Sequence, residues 1–238
     1  MLENIALNQI LVLDIETVPQ YSSFEEVPGQ YQNLWEYKTR FHRKDGESPS
    51  DFYSGGGIWA EFGKIICISA GIFSSEKTSI TLRVKSFYGD EERAILESFS
   101  STLHKLSENL ILCAHNGKEF DFPYLCRRML INGIPIPSQL NIHGKKPWEV
   151  NHVDTMDLWK FGDYKNYTSL NLLAAVFNIP SPKDDIDGSE VHRVYWKEKN
   201  LDRIKTYCEK DVITTSQLLL RFKSLPLLTP ELITIVGN

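Results

Sequence analysis

Residues Gln9 to Ile15 (QILVLDI) form an apolar run rich in branched side chains, the pattern of a central strand covered on both faces. Lys64 to Phe73 (KIICISAGIF) and Ser79 to Tyr88 (SITLRVKSFY), separated by the turn-like SSEKT, predict a hairpin. Leu110 to Ala114 predicts a fourth strand and His152 to Met156 a short further one. Asp90-Glu91-Glu92 opens a helix on which Ile95, Phe99, Leu103 and Leu106 keep helical spacing. Pro123 in a first turn and Gly133 at a capping position predict a helix from Phe122 to Asn132. Thr168 or Ser169 caps a helix carrying Leu172, Leu173, Val176 and Phe177 that stops before Pro180. A last, long helix is expected from about Leu201 to Phe222. From Val18 to Glu61 no period is clean, and this stretch reads as a partly helical insertion between the first and second strands. Strands first and then strands mixed with helices, with no boundary linker, predict a single α/β domain over residues 1–238.

Composition narrows the class. Of 238 residues, 42% are hydrophobic and 24% charged, which excludes disordered, collagen-like and coiled-coil chains. The net charge of -5 argues against binding nucleic acid through overall charge and leaves a local groove open. MLENIALNQI lacks the basic and apolar regions of a signal peptide, and no apolar run approaches the roughly 18 residues of a membrane helix. A cytoplasmic protein with no membrane partner is expected. Cys67, Cys113, Cys126 and Cys208 form no CxxC pair and read as reduced packing residues rather than a zinc site or disulfide framework.

Four acids stand where a fold alone does not call for them. On a strand, Ile10, Val12, Asp14 and Glu16 share one face, so two carboxylates follow two core residues. Their spacing of about 6.6 Å lets a pair of carboxylates bracket divalent cations; the alternative is a strand that ends in solvent. On the last helix Ile204, Cys208, Asp211, Thr215 and Leu218 step by four, three, four and three, which puts Asp211 in a core-facing slot. A buried carboxylate costs several kcal/mol without a partner. Tyr207 lies one turn earlier on nearly the same face, where a packing role is the alternative. Asp121 is either another member of the acid set or the N-cap of the helix carrying Pro123. If the four acids face one crevice, their all-oxygen set favours Mg²⁺ or Mn²⁺ over zinc. Four of the five units of excess negative charge could then reside in the site.

LDIET at Leu13 to Thr17, HNGKEFDFPYL at His115 to Leu125 and YCEKD at Tyr207 to Asp211 resemble the three motifs of the DEDD 3′-5′ exonucleases. The spacing of Tyr207 and Asp211 is similar to the tyrosine subclass, DEDDy; the position where the histidine subclass carries its general base is Thr206 here. The middle motif, with Asn116, Phe120 and Asp121, is closest to the proofreading domain of B-family DNA polymerases, although His115 stands where that family has tyrosine. HVDTMDLW and TSLNLLAAVFNIPSPKDDIDG are similar to stand-alone bacterial proteins of this type. The resemblance covers about Gln9 to Phe222 and omits the insertion. It implies a ribonuclease H-like fold, a mixed sheet of about five strands flanked by helices, and a site for two Mg²⁺ or Mn²⁺ ions about 3.5–4 Å apart. By the same resemblance Asp14 would bridge both ions, Glu16 and Asp211 would complete the nucleophile-side metal, and Asp121 would act through metal-bound waters. Tyr207 would orient the attacking water, and Thr17, Asn116 and Phe120 would contact substrate.

The implied substrate is single-stranded or frayed nucleic acid, DNA before RNA, with no polymerase or repair partner identifiable. An RNA-trimming exonuclease and a catalytically silent nucleic-acid-binding module are the competing readings. Tyr31, Trp35, Tyr37 and Phe41 beside Arg40, Arg43 and Lys44 make the insertion either a strand-gripping arm or a satellite core. Gly55-Gly56-Gly57 reads as a flexible connection, with no Gly-Lys-Ser/Thr to make a P-loop. Arg127-Arg128 and Lys145-Lys146 are either phosphate contacts or solvated surface charge.

Overall fold

The computed structural model describes residues 2–76, 79–163, 167–180 and 186–237. Its strands are β1 (Ile10–Pro19), β2 (Gly63–Glu76), β3 (Ser79–Tyr88), β4 (Ile111–Ala114), β5 (Val153–Asp154) and β6 (Ile233–Val236). They form one six-stranded sheet in the order β5-β4-β1-β2-β3-β6. β1 runs antiparallel to β2 and parallel to β4, β2 and β3 form the antiparallel hairpin, and both outer pairs are parallel. The sheet has one strand more than the expected five. β6 is four residues long and none of its residues is fully buried, so it left no core-strand signature in the sequence. Of the expected turn SSEKT, Ser74 to Glu76 continue β2, while Lys77 and Thr78 lie outside the described residues.

The helices are α1 (Gly29–Thr39), α2 (Glu92–His104), α3 (Asp121–Ile131), α4 (Thr155–Lys160), α5 (Leu170–Val176), α6 (Val191–Trp196) and α7 (Leu201–Phe222). None among the described residues is long and apolar enough to cross a membrane. Alternation along β1 sorts its side chains between two cores. Leu11, Leu13 and Ile15 pack with Leu96 and Phe99 of α2 and with Phe122 and Leu125 of α3. Ile10 and Val12 pack with Val212, Leu219 and Leu220 of α7. The face that continues into Asp14 and Glu16 is therefore the face α7 covers.

A buried fork ties the helical layer to the sheet. Arg128 donates through Nε and Nη2 to Glu92 at 2.8 and 2.5 Å and through Nη1 to Ala60 O at 2.7 Å. Glu92 also accepts from Ile65 N–H at 2.8 Å and from Asn132 Nδ2 at 2.9 Å. Every polar group of the pair has a partner, the condition under which a buried ion pair holds.

The insertion contains α1 and a 3-10 stretch, Asp51–Ile58, built around Trp35, which is fully buried with Val27, Tyr53 and Phe62. Trp35 meets Tyr53, Trp59 and Phe62 edge-on and donates to Pro49 O at 2.8 Å. For Trp35 the satellite-core reading is the observed one. Tyr31, Tyr37 and Phe41 are exposed, with Arg40 lying over the rings of Tyr37 and Phe41.

Two local readings change. His152 to Met156 is strand only at Val153 and Asp154, because the Asp154 carboxylate accepts from Met156 N–H at 2.9 Å and starts α4. Gly55 to Gly57 is no flexible connection. Gly57 abuts the end of β1, where an added Cβ would lie 3.1 Å from Thr17 O, and its carbonyl accepts from Thr17 Oγ1 at 2.8 Å and Tyr124 Oη at 2.7 Å. Glycine is required there for close approach, not for freedom.

Candidate active site

Three segments meet at one end of the sheet. β1 pairs with β2 through Glu16 and then shifts register between Glu16 and Thr17, an irregularity that turns a strand end and re-aims its side chains. The loop from His115 to Phe120 joins β4 to α3. Asn116 takes a left-handed conformation (φ 64°), and its N–H and that of Lys118 both donate to the Asp154 carboxylate at 3.0 Å. His115 braces the same loop, its ring bonding Thr155 Oγ1 and Thr168 O at 2.9 Å each. α7 supplies the third wall.

Asp14, Glu16, Asp121, Tyr207 and Asp211 line one cleft of about 720 Å³, and Thr17, Asn116 and Phe120 line it too. Asp121 is buried, and its Oδ1 accepts from Ile15 N–H at 3.2 Å, between the two acids of β1. It is the first residue of α3 rather than its cap: the cap position is Phe120, which makes no side-chain cap bond. Asp211 departs from its expected core slot. Val212 takes that place at 0% exposure, while Asp211 is half-buried at the edge of the stripe and faces the cleft. The acid that α7 does bury is Glu209, which accepts from Ser86 Oγ at 2.8 Å and pairs with Lys205.

The electrostatics call for a cation. Burial, with Asp211 and Asp121 nearby, holds Asp14 well above the usual carboxylate range, and burial with Asp14 alongside does the same to Glu16. Asp121 is pushed up to about 7, chiefly by burial. Asp14 Oδ2 is buried without a hydrogen-bond partner, as is Asn116 Oδ1. Ligand atoms of Asp14, Glu16 and Cys208 lie within 4.8 Å of one another, so the residues present fit a divalent cation held by carboxylate oxygens. Cys208 is no open ligand: burial and a hydrogen bond with the Cys67 thiol keep its own thiol protonated, and it donates to Asp14 O at 3.4 Å.

The cleft has further walls. From the insertion come Phe52, Ser54, Gly55, Gly57, Ile58 and Trp59, whereas Arg40, Arg43 and Lys44 do not line it. His192, just inside α6, also lines the cleft, with Nδ1 buried and unpartnered. Sequence reasoning missed Asp154, Gly57, Cys208 and His192. Only Asp154 carried a usable signal, an acid directly before the Thr-Met-Asp start of a helix.

A family model described as a predicted 3′-5′ exonuclease related to the exonuclease domain of PolB matches residues 58–227. The chain belongs to that family. The matched span includes Asp121, Tyr207 and Asp211; β1 lies before it and meets it through the contacts described above. Among solved structures, a family B DNA polymerase from the hyperthermophilic archaeon Pyrobaculum calidifontis is similar with a TM-score of 0.53 and 16% identity. The likeness covers 89% of this chain and 24% of that one, so the chain spans about a quarter of the polymerase. At this identity it shows the fold, which is ribonuclease H-like with a mixed sheet flanked by helices. Family membership supports nuclease activity.

Proposed function

We propose that the chain is a metal-dependent exonuclease of the DEDDy type that removes nucleotides from the 3′ end of single-stranded or frayed DNA. The observation that carries this reading is the convergence of Asp14, Glu16, Asp121, Asp211 and Tyr207, from three distant segments, on one cleft where a carboxylate oxygen lies buried and unpartnered. The four acids would hold a pair of Mg²⁺ or Mn²⁺ ions. When bound, such ions neutralise the approaching phosphodiester and supply an activated water for in-line hydrolysis.

The chain's own groups do the rest. Tyr207 hydrogen-bonds with Asp211, and burial beside Asp211, Glu16 and Asp14 raises its phenol above the ordinary value of 10. It keeps its proton at neutral pH, so it orients the attacking water by hydrogen bonding and is not a base. Asn116 offers its unpartnered carbonyl oxygen to the terminal nucleotide. Phe120, Phe52 and Trp59 give the cleft ring faces on which unpaired bases stack. Relatedness to the exonuclease domain of PolB favours DNA.

The test is release of mononucleotides from matched single-stranded DNA and RNA oligomers with Mg²⁺, Mn²⁺ or EDTA. Wild type is expected to release nucleotide from DNA faster than from RNA with either metal and none in EDTA, and Asp14→Ala/Asp211→Ala to release none while keeping its circular dichroism. Faster release from RNA would make it an exoribonuclease. Binding without release under either metal would make it a binding module.

A further inference from the structure

Of the two basic pairs in the sequence, Arg127-Arg128 and Lys145-Lys146, one member of each drops out: Arg128 is buried in its fork with Glu92. Lys146 lies over the Trp148 ring and does not line the groove that Arg127 and Lys145 share, which leaves one residue of each pair. Arg127 on the outer face of α3 lines this groove of about 270 Å³ together with Lys118, His143 and Lys145, and no carboxylate among the described residues lines it. On a chain of net charge -5 this is a local concentration of positive charge. Of the groove's cations Lys118 is paired with an acid it shares, since Asp157 lies 3.6 Å from both Lys118 and Lys160. The floor is apolar, with Leu140 and Ile142 between the cations.

The groove and the cleft share one loop. Asn116 and Phe120 line the cleft, while Lys118, between them, lines the groove. α3 then carries the groove away from the acids between Pro123 and Leu130, about 10 Å. A rim of cations over an apolar floor suits a polyanion that also has flat apolar faces, as a single nucleic-acid strand does.

We propose that this groove holds the phosphodiester backbone of the substrate strand upstream of the 3′-terminal nucleotides that enter the cleft. The proposal rests on the exonuclease reading and adds to it the path of the strand. It makes the enzyme length-sensitive: an oligomer long enough to cross the loop gains contacts that a tetramer does not reach.

The variant is Arg127→Ala/Lys145→Ala, both exposed positions away from the acids. In one arm, KM is measured with Mg²⁺ for single-stranded DNA of four and of twenty nucleotides. In the other, binding of the twenty-mer is followed by fluorescence anisotropy in EDTA over a salt series. KM for the twenty-mer is expected to rise on the order of tenfold, with the tetramer behaving as in wild type. The slope of log K against log salt is expected to flatten by about 1.4, since each lost contact to a single strand accounts for about 0.7. Equal changes for both lengths, or an unchanged slope, would overturn the groove. Retention on phosphatidylserine vesicles that disappears in the variant, with the twenty-mer unaffected, would give the groove to a membrane surface instead. If wild type cleaves neither oligomer, the reading of the cleft fails by itself and the salt slope still decides the groove.

Discussion

The acids of the cleft work against the fold that holds them. Asp14 is surrounded by Glu16, Asp121 and Asp211 with one oxygen unpartnered, so burial and its acidic neighbours outweigh the hydrogen bond from the Cys208 thiol that favours its anion. Asp14→Asn should therefore abolish nucleotide release and yet stabilise the metal-free protein by roughly 1 kcal/mol, about 2–4 °C in Tm for a chain of this size. Thermal unfolding in EDTA checks this, and a fall in Tm would contradict it. Tyr207→Phe removes a hydrogen bond and no ligand, so it should lower kcat by about 10²-fold and leave metal affinity, read by Mn²⁺ titration, as it was. His152 reports on the other side of the sheet. Its Nδ1 accepts from Leu112 N–H at 3.2 Å and its Nε2 donates to Gln139 O at 2.9 Å, an arrangement only the neutral ring supports. Burial accordingly lowers it from 6.5 to about 4. Below pH 6.5 the unfolded chain takes up a proton that the fold refuses, so stability present above pH 6.5 is lost as the pH falls towards 4, by about 3 kcal/mol. Urea midpoints at pH 7 and 4.5 should show a shallower loss in His152→Gln than in wild type.

At the scale of elements, the site depends on packing that brings helices and loops close to the end of β1. A Cβ on Gly63 would stand 2.3 Å from the Tyr124 hydroxyl and 2.9 Å from Gly57 O. Gly63→Ala must displace the glycine wall that Thr17 and Tyr124 hold by hydrogen bonds. It should destabilise by about 1–3 kcal/mol, within the usual range for overpacking, and impair substrate binding. Arg128→Ala leaves Glu92 buried and uncompensated and should cost about 3–5 kcal/mol in urea unfolding, with the acids of the cleft untouched. The elements themselves differed in how far their sequences announced them. α7 is found at Leu201–Phe222 as expected, because its apolar stripe is long and Asn200 caps it. β1 was legible as a strand, but its continuation past Ile15 to Pro19 follows from pairing with β2, which no local pattern records. Asp211 was assigned one helical position too deep, since a simple stripe hides how broad the buried face of α7 is: Glu209 and Val212 both go in.

At the scale of the molecule, the site is assembled from residues as far apart as Asp14 and Asp211, and contact spans that distance directly, through the Cys208 thiol on Asp14 O. Asp14 and Glu16 could be read from sequence because charged residues that continue an apolar face are anomalous, and Asp121, Tyr207 and Asp211 because their motifs resemble those of a known family. The walls could not. Phe52 and Trp59 resemble packing aromatics until the insertion folds back on β1, and His192 lies on a helix of six residues with no stripe to betray it. The charge of the whole chain likewise concealed the groove beside α3, where Lys118, Arg127 and Lys145 meet only in three dimensions.

The central claim is that this cleft hydrolyses nucleic acid from the 3′ end. A time course on 5′-labelled single-stranded DNA with Mn²⁺, wild type beside Asp14→Ala/Asp211→Ala, tests it most directly. The account predicts a descending ladder of labelled products that shortens one nucleotide at a time, absent in EDTA and absent in the variant. Immediate release of a labelled mononucleotide, or a ladder that survives in the folded double variant, would contradict it.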